Sequence, residues 1–391
     1  MPSLKKHHTS SSVYEAAIAR INLLYDRFDT VMVSFSGGKD STVCLNLALE
    51  VAHKRNRLPL EVCFIDEEAI TFETEEYLER VRSRADVTFK WVCVPVKHRN
   101  ACSRSQPYWY PWHPDDRSKW VRELPIGAIT SISGFQIGMN VPDIMALLYP
   151  PHPYGNVACI RGIRTAESIR RLQSVTRRET DNWIGQNAAG KYGNYYPTSP
   201  VYDWSIDDVW IAPQLHGWDY NRHYDIQAMV GISKNLQRVT PPFGEEPLNG
   251  LWQYAECFPD LWEKMLTRVD GVATAWRYAL TDLYGTSSKE PPPGMRYRDW
   301  CYSLIELYEP EDKVQIAKSV AGMIKLHQSK TKRTIPETEP DPLTGLSWKW
   351  IAKCINQGDL KGRKAGQLLK HAQAQCKKLG ITYEEALELG V

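Results

Sequence analysis

The stretch Val31-Met32-Val33-Ser34-Phe35-Ser36-Gly37-Gly38-Lys39-Asp40-Ser41 decides the fold. Its apolar start reads as a buried strand, and Gly37-Gly38 as the tight turn that ends it. From Asp40 to Lys54, Val43, Leu47 and Val51 recur at helical spacing, with Leu45, Ala48, Leu49 and Ala52 widening the stripe. A strand, a glycine turn and a helix in this order aim backbone N–H groups and the positive helix end at one point. That arrangement takes phosphate. It is not a Walker A loop, because Val33 and Asp40 stand where that motif needs Gly and Ser or Thr.

Working outward, Val13, Ala17, Ile21, Leu24 and Phe28 predict an amphipathic helix packed under the first strand. Leu60–Ile65 reads as a second buried strand ending at Asp66-Glu67-Glu68, and open α/β sheets bind ligands at the carboxyl ends of their strands. A polar helix over 71–84, with Thr71 and Thr74 as candidate caps, leads to a third strand over 87–94, stopped by Pro95. This alternation predicts a doubly wound, mainly parallel sheet. The segment 97–120 breaks the pattern with Tyr108, Trp109, Tyr110 and Trp112, which reads as an ordered loop whose aromatics either stack on a base or nucleoside or, the favoured reading, wedge the loop by packing.

A second strand–turn–helix follows at Val157–Arg171, now carrying guanidinium groups. Arg161 and Arg164 flank Gly162, where their forks suit phosphate oxygens; Arg170, Arg171, Arg177 and Arg178 fit a solvated helix face as well. Ser205 predicts a helix N-cap. From Leu248 the text is helical, so three parts are expected: a disordered lead-in over 1–12, an α/β nucleotide domain over 13–247, and a helical C-terminal region with a basic tail over 248–391. In that tail Lys361, Arg363, Lys364, Lys370, Lys377 and Lys378 suit either weak contact with nucleic acid or a solvated face docked through Leu368, Leu369, Ala372 and Cys376.

The net charge of +2 makes no global case for a polyanionic partner. No apolar run has the length of a membrane span, and the basic N-terminus lacks the apolar core of a signal peptide. None of the nine cysteines forms a Cys-x-x-Cys pair, so neither zinc nor an iron–sulfur cluster is expected, and the simple reading is a reduced cytoplasmic protein.

Ser36–Ser41 resembles the pyrophosphate loop of the ATP pyrophosphatases, which cut ATP between the α and β phosphates. With Phe-Ile-Asp-Glu-Glu (64–68), Arg-Gly-Ile-Arg-Thr-Ala-Glu-Ser (161–168), the segments 201–210 and 237–244, and Ser-Trp-Lys-Trp-Ile-Ala-Lys-Cys-Ile (347–355), the chain resembles the phosphoadenosine phosphosulfate reductase-like branch of that superfamily. Within it, the chain is similar to the immunoglobulin-binding regulator A (IbrA-like) type, from about Val13 through the basic tail. The resemblance implies an adenine nucleotide alpha hydrolase-like fold and Mg²⁺-dependent cleavage of ATP to AMP and pyrophosphate. An acceptor would be adenylated on the way to sulfur transfer or a nucleic-acid-related modification.

The resemblance also assigns residues. Ser34, Ser36, Gly37, Gly38, Lys39, Asp40, Ser41, Asp66 and Gly162 would bind the nucleotide, with Asp40 and Asp66 on the metal. Lys39, Asp40, Arg161 and Arg164 would be catalytic, and Asp203 and His223 are the candidate general bases. Two other classes stay open. One is a nucleotide-binding regulator of gene expression acting with a ParB-like partner. The other is a thiol-dependent sulfonucleotide reductase, although the Glu-Cys-Gly-Leu-His segment of such reductases is missing, and Cys376, in Gln-Cys-Lys-Lys, is the one thiol whose basic neighbours suggest a lowered pKa.

Overall fold

The computed structural model describes residues 10–103, 105–167, 171–172, 175, 182–188, 193–241, 243–244, 248–278, 290–308, 310–356 and 366–389. Most of the expected lead-in, and Arg170, Arg177, Arg178, Lys361, Arg363 and Lys364, lie outside them. The chain forms two compact units, Met1–Leu280 and Thr281–Val391. The unit holding the sheet therefore runs past the expected boundary at 247, and the helices Leu251–Cys257, Pro259–Arg268 and Val272–Tyr278 belong to it.

In the first unit, five strands form one sheet: β1 (Thr30–Ser34), β2 (Leu60–Ile65), β3 (Val87–Val92), β6 (Val157–Ile160) and β7 (Tyr195–Thr198). The order is β3-β2-β1-β6-β7 and every pairing is parallel. A separate antiparallel hairpin joins β4 (His98–Arg99) and β5 (Tyr108–Trp109). Side-chain alternation explains why both sheet faces are covered. Val31, Val33, Val62, Phe64, Ala158 and Ile160 face one apolar cluster; Met32, Cys63, Val92, Val157 and Cys159 face the other.

The first cluster is completed by α1 (Val13–Arg27), α2 (Lys39–Lys54), α3 (Phe72–Arg82) and the helix Ile206–His216, through Ala17, Ile21, Leu24, Val43, Leu47, Val51, Leu78 and Val209. The helix Val141–Leu148 completes the second through Ile144 and Met145. Helices on both faces of a parallel sheet make the doubly wound α/β fold expected of the chain. β2 lies on one side of β1 and β6 on the other, so the carboxyl ends of β1 and β6 flank a topological switch point.

The second unit packs the helices Tyr297–Glu306, Pro310–Lys330 and Trp348–Asn356 around Trp300, Leu304, Ile316, Val320, Ile351 and Ile355. The helix Leu368–Lys378 buries Leu368, Ala372 and Cys376 while Lys370, Lys377 and Lys378 stay in solvent, as the docked-face reading of the tail requires. Among the described residues, no helix is long and apolar enough to cross a membrane.

Candidate active site at the switch point

The crevice at the switch point is shaped first by how closely α2 approaches the exit of β6. Gly37 takes φ +70°, the left-handed backbone that turns the chain from β1 into α2, and Gly38 is the N-cap. At the opposite wall, a Cβ on Gly162 would lie 2.6 Å from the Asp40 carbonyl carbon and 2.7 Å from the Ser41 nitrogen. The first turn of α2 thus rests directly on the Gly162 peptide. Beside it, Arg164 donates from Nε to Asp40 Oδ1 and from Nη2 to Glu167 Oε1 at 3.0 Å, with the guanidinium almost entirely buried.

The remaining expected ligands divide into those that face the crevice and those that brace it. Ser36 is exposed, and its Oγ lies 3.0 Å from Ser41 Oγ. Ser41 is 4% exposed and donates to the Gly38 carbonyl at 2.9 Å, so its hydroxyl acts as a brace. Gly38 N–H makes a long bond of 3.3 Å to Ser36 Oγ, and Lys39 N–H donates to the Tyr224 hydroxyl at 2.9 Å. The Lys39 ammonium reaches the Gln237 carbonyl at 2.9 Å and lies 4.0 Å from Asp40 Oδ2. Burial holds the Lys39 pKa below its ordinary value; Asp40 opposes that shift, and Arg164, Arg238 and Arg171 add to it. Ser34 ends β1, and Arg164 is the arginine of the 161–164 turn that pairs with Asp40.

Asp66, a metal ligand by resemblance, is engaged in this structure by donors of the protein itself. It is fully buried; Oδ1 accepts from Glu68 N–H at 2.8 Å, and Oδ2 accepts from Trp91 Nε1 at 2.6 Å and from Arg122. These bonds anchor the loop that carries Arg122, which also donates to the Glu68 carbonyl. Asp40 retains Oδ2 near the crevice, and Mg²⁺ characteristically binds one or two carboxylates together with substrate phosphates. The donor set therefore fits through Asp40 alone. Among the described residues there is no cluster of three or more His, Cys, Asp or Glu able to hold a metal.

The two candidate bases are structural. Asp203 takes a bidentate pair from Arg20 at 2.8 and 2.7 Å. His223 is fully buried, stacked on Phe258 at 4.5 Å, and bonded through both ring nitrogens. It belongs to a directed chain that pattern reading missed. Asn221 Nδ2 donates to the Gly37 carbonyl at 3.0 Å and to Thr74 Oγ1 at 2.9 Å. The Thr74 and Thr71 hydroxyls are 3.1 Å apart, Thr71 Oγ1 is 3.0 Å from His223 Nδ1, and His223 Nε2 is 2.9 Å from the Arg238 carbonyl. A carbonyl only accepts, so Nε2 carries the proton and Nδ1 accepts from Thr71. Thr71 thereby caps α3 without a side-chain bond to it, its hydroxyl being engaged in this chain.

Burial lowers the His223 pKa to about 4. The unfolded chain, with an ordinary histidine near pH 6.5, binds the proton more readily. The stability from neutral His223 is thus complete above about pH 6.5 and lost as the pH falls toward 4. Urea midpoints measured at pH 7 and pH 4.5 are expected to fall further for the parent than for His223→Gln. An equal fall in both would remove the role assigned to this imidazole.

The thiols show no activation. Cys376 is 1% exposed and faces the Pro342 carbonyl at 3.3 Å, and burial raises its pKa despite the lysines that follow it. The lowered value suggested by its basic neighbours is thereby corrected. Burial also raises Cys44, Cys63, Cys93, Cys102, Cys159, Cys257 and Cys301.

Comparison with known proteins places this geometry in context. Residues 30–229 match the phosphoadenosine phosphosulfate reductase domain, and residues 231–337 match a domain of unknown function, DUF3440. The uncharacterized protein YbdN of Escherichia coli (strain K12) is 30% identical over 366 residues, covering 89% of this chain and 88% of that protein. Among solved structures, Candida glabrata FMN adenylyltransferase in complex with FMN and the ATP analog AMPCPP is 15% identical over 56% of this chain, with a TM-score of 0.34. This chain spans 65% of that protein. Phosphoadenylyl-sulfate reductase from Candida auris, in a phosphate complex, is 14% identical over 56% of this chain and 85% of its own, with a TM-score of 0.30. At such scores the structural likeness is too slight to carry an argument.

Proposed function

The chain belongs to the phosphoadenosine phosphosulfate reductase domain family, and from that premise we propose that it is an ATP pyrophosphatase that adenylates an acceptor. The observation that carries the reading is the convergence at the switch point of the α2 N-terminus, Lys39 and the Asp40–Arg164 pair, held in contact through Gly162. An acceptor nucleophile attacks the α-phosphorus, the bond to the bridging oxygen breaks, and pyrophosphate departs with the electron pair. The acceptor becomes adenylated and releases a proton.

Lys39, the loop N–H groups and the end of the helix offset charge gathering on the leaving pyrophosphate. Displacing the long Gly38–Ser36 bond would free one of those donors. Arg164 fixes the orientation of Asp40, whose Oδ2, with the phosphates, would hold Mg²⁺; bound there, the ion supplies Lewis-acid neutralisation. The sequence segments 201–210, 237–244 and 347–355 support the IbrA-like kinship, and a regulatory role with a ParB-like partner rests on that kinship alone.

Incubating the protein with α-labelled ATP, Mg²⁺ and cell extract tests the reading. Lys39→Ala is expected to lower formation of labelled AMP or adenylated product at least about 100-fold, the scale for removing a transition-state charge partner. Far-UV circular dichroism should be unchanged, and Cys376→Ser should react at the parental rate. Parental turnover by Lys39→Ala would defeat the assignment, and a dead Cys376→Ser protein would restore the thiol-dependent reading.

A further inference from the structure

Arg238 is a cation at this crevice with no role in the chemistry above. The segment around it lies on the phosphate loop. The Gln237 carbonyl takes the Lys39 ammonium at 2.9 Å, and Val239 Cγ2 lies 3.3 Å from where a Gly38 Cβ would stand. Gln237 and Val239 are buried while Arg238 between them is exposed, so the backbone is seated on the loop and the Arg238 side chain stands in solvent. That backbone is fixed from behind, since the Arg238 carbonyl accepts from His223 Nε2 at 2.9 Å and from Gln227 Nε2 at 3.1 Å. The buried chain through Thr71, Thr74 and Asn221 continues from His223 to the Gly37 carbonyl, so the two loops are held by one network.

The charges around Lys39 do not cancel. Arg164 is matched by Asp40 and Glu167, and Arg171 by Glu167. Arg238, whose charge reaches Lys39, makes no ion pair among the described residues. An unpaired guanidinium beside a helix N-terminus and a lysine suits a multiply charged anion, which its planar fork can bind through two oxygens.

We propose that Arg238 binds the terminal phosphates of ATP and holds the departing pyrophosphate, making the site selective for nucleotides that carry this group. The inference rests on the ATP pyrophosphatase reading and extends it. The phosphate loop lies in the segment matched by the reductase domain and Arg238 in the segment matched by DUF3440, so both segments contribute to one site.

Titration calorimetry on the full chain, with inorganic pyrophosphate and with AMP as separate probes, tests this. Arg238→Ala is expected to weaken pyrophosphate binding at least about 10-fold and leave AMP affinity unchanged, with Arg238→Lys recovering part of the loss. If the parent binds pyrophosphate and Arg238→Ala binds it equally well, the assignment of Arg238 is overturned and the ATP reading stands. Equal losses for both probes would also overturn it, since the residue would then be maintaining the loop. A parent protein that binds neither probe would overturn the ATP reading and the Arg238 assignment together.

Discussion

Gly162→Ala is expected to reduce ATP cleavage at least about 100-fold, although it adds only a single methyl group. The added Cβ would sit 2.6 Å from the Asp40 carbonyl carbon and 2.7 Å from the Ser41 nitrogen. Both atoms are backbone in the first turn of α2, so no side-chain rotation relieves the clash. Either the helix start or the exit of β6 must move, and each movement separates Arg164 from Asp40 and shifts the loop N–H groups. Overpacking of this kind costs about 1–3 kcal/mol of stability, so the unit should remain folded while its geometry is lost. Gly322→Ala is the matched control: it lies within the helix Pro310–Lys330, and its Cβ would meet nothing within 4 Å. That variant is expected to react at the parental rate and to gain about 0.5–1 kcal/mol in its own unit. Parental turnover by Gly162→Ala would show that the contact between β6 and α2 does not set the chemistry.

What the sequence discloses and what it hides divide along separation in the chain. β1, Gly37-Gly38 and α2 were legible because hydrophobic period, turn residues and helix start all lie within 25 residues (30–54). Gly162 was legible as a turn between two arginines, but not its contact with Asp40, which depends on β1 pairing with β6. Asp66 shows where such reading fails. An acid at the end of a parallel strand is the right residue at the right place for a ligand, yet its partner Arg122 arrives 56 residues later, on a segment without regular period. Asn221 and Tyr224, and the structural role of His223, escaped for the same reason. Polar residues near the start of a short helix look solvated until the fold closes them over Gly37, Thr71 and Lys39. The aromatic segment was read correctly as packing because Trp109 and Trp112 bring more apolar area than a loop can leave exposed.

Arg268→Met is expected to destabilise the first unit by about 3–5 kcal/mol, the usual consequence of leaving a buried charge without its partner. Glu68 is fully buried, and its carboxylate accepts from Arg268 Nε at 2.7 Å, Arg268 Nη2 at 2.9 Å, Trp112 N–H at 2.7 Å and Val121 N–H at 3.2 Å. Its backbone stands at φ +64°, a conformation L-residues seldom hold unless their surroundings impose it. Arg268 also donates to the Tyr110 carbonyl, so one ion pair ties the end of β2, the 108–122 segment and the helix Pro259–Arg268 together. With two units in the chain, one global unfolding curve would blur the effect, and amide exchange locates it. In the parent, the Trp112 and Val121 amides should be among the best protected of their segment. In Arg268→Met they should exchange at least about 100-fold faster, the counterpart of roughly 3 kcal/mol. Glu68→Gln/Arg268→Met removes both charges and should recover part of the loss, because a neutral amide no longer lacks a cation. If the single variant kept parental protection at both amides, Glu68 would not be the anchor of this loop.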